Sequence, residues 1–102
     1  MRLLSVVKST NAKKKYMATF CTCEGSTKCE PKNRKVVHFG ATGYTDYTLT
    51  GDKEKRRLYR LRHAKEANQA FDTPGRLSMD LLWGDSTSLQ ENIRSFKKKL
   101  SC

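Results

Sequence analysis

The chain has 102 residues, 21 of them Lys or Arg against 10 Asp or Glu, for a formal net charge of +11. That length makes a single domain, 1–102, with a modest core, and no run approaches the roughly 20 apolar residues of a bilayer span. The charge points to nucleic acid, an anionic surface or an acidic protein partner, and the spread of aromatic and branched residues argues for a folded domain over a disordered basic tail.

In chain order, Leu3 to Lys8 reads as a first strand and Ser9 to Ala12 as a turn. Lys14 to Thr22 alternates, with Tyr16, Ala18 and Phe20 on one face and Lys15, Met17 and Thr19 on the other. A polar loop from Glu24 to Asn33 leads to a third strand, Arg34 to Phe39. The expected product over residues 1–40 is an antiparallel meander with one face in need of cover. The apolar patch within Met1 to Lys8 is short for a signal peptide and lacks a small-residue cleavage site. An intracellular protein is therefore the default expectation, and its cysteines read as reduced thiols or metal ligands.

Gly40 to Thr48 forms a glycine-punctuated loop holding Tyr44 and Tyr47, and residues 50–100 carry three helical patterns. The first runs from about Thr50 to Ala67 and is expected to bring Leu58, Leu61 and Tyr59 to the sheet. Thr73-Pro74 opens the second, a hydroxyl N-cap before proline at the first helical position, and Gly84 stops it. Trp83 is expected in the core between the second and third helices. Ser88 to Glu91 has capping-box spacing, and Leu89, Ile93, Phe96 and Leu100 follow at helical intervals. The fold class is α+β: a small three-stranded antiparallel sheet covered by three helices.

The string Val37 through Thr48 (Val-His-Phe-Gly-Ala-x-Gly-Tyr-x-Asp-Tyr-Thr), the later Arg57-x-Tyr59-x-x-Arg62-His63, and Leu81-Leu82-Trp83 followed by Leu89-x-x-x-Ile93 resemble one small family. It is a domain-of-unknown-function family of basic proteins from large DNA viruses of algae and protists, and the resemblance covers roughly Lys14 to Leu100. The loop Cys21 to Asn33 departs from it, being longer and richer in cysteine. The resemblance implies a viral origin and supplies no activity, so function is argued from the residues.

Cys21, Cys23 and Cys29 are the nearest approach to a metal motif, with His38 or Cys102 as a fourth zinc ligand. Cys-x-Cys sets adjacent ligands awkwardly on one strand, and ordinary reduced thiols are the favoured reading; no cofactor is expected. His38 faces opposite to Val37 and Phe39, and His63 follows Arg62 on the basic helix; for each, a structural hydrogen bond is favoured over catalysis. The carboxylates are scattered, Asp52 reading as a first-turn residue and Asp46 as a lock on the tyrosine loop. No pair suggests acid–base work, so no enzyme is expected. The glycines at Gly40 and Gly43 fit a tight turn better than a phosphate loop. Tyr47 is expected to pack under the first helix and Tyr44 to be available for stacking on a base.

Seven of the thirteen residues from Lys53 to Lys65 are Lys or Arg, a density that repels itself unless an anion neutralises it. Lys13 to Lys15, Arg34-Lys35 and Lys97 to Lys99 spread the charge over further elements, which fits contact with a polyanion backbone. The expected function is sequence-tolerant binding of DNA or RNA without catalysis, associated with a viral genome or virion. The residues expected to carry it are Lys35, Tyr44, Lys53, Arg56, Arg57, Arg60, Arg62, Lys65, Lys97 and Lys98. The alternative is a virion structural protein, a minor capsid or cement protein whose charge meets acidic capsid surfaces; no membrane partner is expected.

Overall fold

A computed structural model describes residues 1–22 and 29–101. Three strands, β1 (Arg2–Lys8), β2 (Lys14–Cys21) and β3 (Arg34–Ala41), form an antiparallel sheet in the order β1-β2-β3. The meander expected from alternation is present, and the α+β class holds. Ala18 sits opposite Val6 on one side and Val37 on the other, and Tyr16 opposite Phe39, so the predicted inner face of β2 is the inner face of the whole sheet. The β1–β2 register steps between Leu3 and Ser5. An extra residue there keeps both Leu3 and Val6 turned toward the core, which strict alternation would forbid.

After the sheet come a one-turn helix α1 (Tyr47–Thr50), the basic helix α2 (Lys53–Arg62) and a 3-10 stretch, Ala64–Asn68. The helix expected from about Thr50 to Ala67 is thus divided. Gly51, at φ 64°, ends α1, and Asp52 then caps α2 by accepting from the amides of Glu54 and Lys55, both at 3.0 Å. Helix α3 (Pro74–Leu77) begins at the predicted Thr73 cap and continues as a π turn, Ser78–Leu82. Helix α4 (Leu89–Lys98) begins at Ser88, whose hydroxyl accepts from the Glu91 amide at 3.3 Å. The second half of that capping box is redirected: Glu91 accepts from the Ser86 hydroxyl at 2.6 Å, and Ser86 in turn accepts from the Ser88 amide at 2.9 Å.

The core joins Leu3, Ala18, Phe20, Val37 and Phe39 of the sheet to Leu77, Leu81 and Leu82 of the α3 segment and Ile93 and Phe96 of α4. Phe96 meets Phe20 edge-on at 6.4 Å between centroids and Phe71 edge-on at 5.5 Å. The α3 segment and α4 therefore supply the cover. Helix α2 does not, and the expectation that Leu58 and Leu61 reach the sheet is corrected: α2 has no buried residue and Leu61 is 68% exposed.

Its inward face is Arg56, Tyr59, Arg60 and His63. Arg56 Nε donates to the Gly84 carbonyl at 2.7 Å and its Nη2 to Asp85 at 2.8 Å, while Arg60 Nη1 donates to the carbonyls of Met79 and Trp83 at 3.2 and 2.9 Å. The C-terminal end of the α3 segment needs donors for its last carbonyls, and two guanidiniums on apolar stems provide them with favourable charge.

Cys21 and Cys29 are joined as a disulfide, their Cα atoms 5.8 Å apart, where the sequence reading expected thiols. The end of β2 and the chain leading back into β3 bring the two together, a proximity that spacing alone does not reveal. Cys23 and Cys102, named as further zinc ligands, lie outside the described residues. A short loop closed in this way restricts the unfolded chain, so reduction is expected to lower stability by roughly 2–3 kcal/mol. Urea melts with and without a phosphine reductant check this, with Cys21→Ser/Cys29→Ser showing no response to the reductant.

Candidate functional site

Lys15 and Asp46 anchor the wall of a cleft between the Thr42–Asp46 loop and α2. Lys15 Nζ donates to Asp46 Oδ2 at 2.7 Å, with the two side chains only 15% and 2% exposed. Asp46 also caps α1, accepting from the Thr48 amide at 2.9 Å and from the Thr48 hydroxyl. One carboxylate thus ties the loop to β2 and to the helix that follows, as the sequence reading expected of a loop lock. Gly40 and Gly43, at φ 77° and 84°, let the chain turn sharply between them. Between this glycine turn and the buried Asp46 the chain presents Tyr44, 74% exposed, while Tyr47 is buried as predicted.

The opposite wall is aromatic. Trp83, in the core as expected, stacks on Tyr59 at 4.3 Å with the planes 8° apart, and Tyr59 stacks on His63 at 4.1 Å. His63 Nδ1 lies 3.3 Å from Glu66. Burial first, and the Glu66 charge second, push the Tyr59 phenol above its usual 10. The neutral ring is the form the fold prefers, so this preference stabilises the protein below pH 10 and is lost as pH rises through the elevated pKa. An ultraviolet phenolate titration is therefore expected to show Tyr59 ionising above the ordinary tyrosine range, with Tyr59→Phe removing that component.

Two adjoining hollows of about 420 Å³ each share Tyr44, Thr45, Tyr59, Arg62 and Trp83. Lys15, Asp46 and His63 line the first, and Lys55 and Leu58 extend the second along α2. Lys55 and Arg62 stand two helical turns apart on one flank of α2, which brings both cations to the same cleft. The sequence reading did not select Lys55; its seven-residue spacing from Arg62 is the signal that would have found it. It also did not foresee the Lys15–Asp46 pair, since nothing local joins residues 31 positions apart.

The basic residues named from the sequence separate into groups. Arg56 and Arg60, expected to meet phosphate and so to lie at the surface, are instead half-buried and engaged with backbone carbonyls. Arg57 lies outward in a fork with Glu54, which lowers the Glu54 carboxyl and raises the guanidinium; that exposed pair is readily exchanged. Lys35 pairs with Asp72 at 2.9 Å, and its ammonium holds the Asp72 carboxyl below the usual range. Lys53, Arg62 and Lys65, together with Lys97 and Lys98 at the end of α4, are exposed and have no ion pair with any described residue, as does Lys55. His38, on the predicted outer face, bonds through Nδ1 to the Ser9 hydroxyl at 2.7 Å. Disulfide sulfurs are not thiolates, so in this form Cys21 and Cys29 do not join His38 as zinc ligands. Among the described residues no three His, Cys, Asp or Glu side chains gather as a metal-holding group.

A family model of unknown function, DUF5754, matches residues 4–63, more than half of the chain. The chain belongs to the DUF5754 family. The DUF5754 match takes in the sheet from Leu4 onward, the tyrosine loop and α2 through His63, and leaves Trp83 and α4 outside it. The resemblance expected over Lys14 to Leu100 therefore begins earlier than anticipated and stops well short of its Leu81-to-Ile93 segments. No curated protein and no solved structure matches the chain.

Proposed function

We propose that this protein binds nucleic acid through its phosphates, tolerant of sequence and without catalysis. The observation that carries the reading is the set of exposed cations on and beside α2 that have no ion pair with any described residue: Lys53, Lys55, Arg62 and Lys65. Hydrogen bonds within the chain engage Arg56 and Arg60, yet α2 still presents an outward basic surface, with Arg57 paired to an exposed Glu54. Lys97 and Lys98 extend the positive potential to a second element. Exposed lysines and arginines on several elements, without ion pairs to described residues, suit a repeating anionic backbone, which carries charge without sequence information.

In this reading the setting is viral, inside an infected cell or carried with the genome in a virion. The Cys21–Cys29 disulfide favours the virion, because such bonds persist in oxidising surroundings and are reduced in the cytosol. The competing reading, a cement protein on acidic capsid surfaces, draws on Val7 and Val36, both exposed on the sheet.

The test is replacement of Lys53, Lys55, Arg62 and Lys65 by Gln. Affinity for several unrelated duplexes and single strands, followed by fluorescence anisotropy, is expected to fall by about tenfold or more, evenly across sequences. A charge-matched set, Lys8, Lys13, Lys14 and Arg94 to Gln, is expected to cost far less. Equal small losses from the two sets would favour the cement reading.

A further inference from the structure

We propose that the cleft between Tyr44 and α2 takes an unpaired base of a single strand, with Tyr44 as the stacking platform and Arg62 and Lys55 on the flanking phosphates. This rests on the phosphate-binding reading and adds to it a strand type and a place. Tyr44 is the first observation. A tyrosine 74% exposed at a loop tip exposes apolar surface to water, and here the loop is not slack, because the next residue but one is the buried, ion-paired Asp46. A ring presented to solvent from a fixed base is pre-organised for stacking.

Charge and shape give the occupant. The hollow holds about 420 Å³, room for a nucleobase with its sugar, and its two walls are aromatic, Tyr44 on one side and the Tyr59–Trp83 stack on the other. Arg62 lines both hollows and Lys55 the outer one, each without an ion pair to a described residue. Cations at the rim with aromatic walls behind them match a nucleotide, phosphate outward and base inward. Lys15 adds a polar group inside: its ammonium has three donors and Asp46 takes one of them, so acceptors on a base edge find a donor in the cleft. A base-paired duplex keeps its bases stacked on each other and cannot place one there without unpairing it.

Charge alone favours duplex, whose phosphates are more densely spaced, so a preference for single strands requires contacts to bases. The experiment compares a dT oligonucleotide with a duplex carrying the same number of phosphates, binding to the wild-type chain, Tyr44→Ala and Tyr44→Phe. The single strand is expected to bind tighter than the duplex and to change the emission of Trp83, the only tryptophan, which lines both hollows. Tyr44→Ala is expected to weaken single-strand binding by roughly 5- to 150-fold and collapse the preference, while Tyr44→Phe retains it. A thermal melt of each variant checks the fold, which an exposed side chain does not hold together. Tighter duplex binding, or an equal effect of Tyr44→Ala on strand and duplex, overturns the base site while leaving phosphate binding standing. Binding of thymidine monophosphate as tight as that of the oligonucleotide overturns the strand assignment in favour of a free nucleotide. Failure of both polymers to bind overturns the two readings together.

Discussion

Trp83→Ala is expected to cost about 3–5 kcal/mol of unfolding free energy, and Leu61→Ala no more than about 0.5 kcal/mol. Trp83 closes the end of the α3 segment, stacks flat on Tyr59 and presents its carbonyl to Arg60. Truncating it opens a large hole against α2 and leaves Tyr59 without its packing partner on that side. Leu61 lies on the outer surface of α2, where alanine is an equally good helix former. Chemical denaturation of the two variants separates the observed placement of α2 from the one its leucines suggest. A Leu61→Ala loss comparable to that of Trp83→Ala would mean that α2 is turned the other way.

Asp46→Ala is expected to destabilise by about 3–5 kcal/mol, because it strands the Lys15 ammonium in a site where its side chain is 15% exposed. The same change removes the cap of α1 and frees the tyrosine loop from β2. Asp46→Asn keeps an acceptor for the Thr48 amide, and so the cap, but puts an amide NH2 where Lys15 had an acceptor; it loses the ion pair without the cap, and its cost is smaller than that of alanine. If Lys15 and Asp46 act as a pair, Lys15→Met/Asp46→Asn loses less than the sum of the single changes in urea denaturation. Strict additivity would mean that the two side chains do not interact in solution.

The sheet was legible because alternation along β2 names its inner face without knowledge of any partner, and Tyr16, Ala18 and Phe20 lie together as read. Helix starts at Thr73 and Ser88 were legible for a similar reason: a cap is a local hydrogen bond between residues three apart. The orientation of α2 was not local. Leu58 and Leu61 offer the spacing of a buried stripe, yet the inner face is set by carbonyls of the α3 segment, which attract Arg56 and Arg60 instead. A sequence shows the donors on α2 but not the carbonyl acceptors, which lie 19 to 28 positions away. The disulfide and the Lys15–Asp46 pair escaped for the same reason, since each is made by the closure of the chain. Tyr47 was expected to pack and Tyr44 to stay available, but the device that separates them, the one-turn helix α1 capped by Asp46, was not foreseen; it turns Tyr47 inward and leaves Tyr44 on the loop.

Phosphate contact by the outer cations of α2 is tested most directly by the salt dependence of binding to an arbitrary duplex. Each phosphate neutralised by Lys or Arg contributes about 0.9 to the log–log slope. The Lys53, Lys55, Arg62 and Lys65 to Gln variant is then expected to show a slope shallower than the wild type by between about three and four units. The Lys8, Lys13, Lys14 and Arg94 to Gln variant is expected to stay within about one unit of the wild type. Equal slopes for wild type and the α2 variant, or the same reduction in both variants, would contradict phosphate binding by α2 and reduce its outer surface to a solvated helix face.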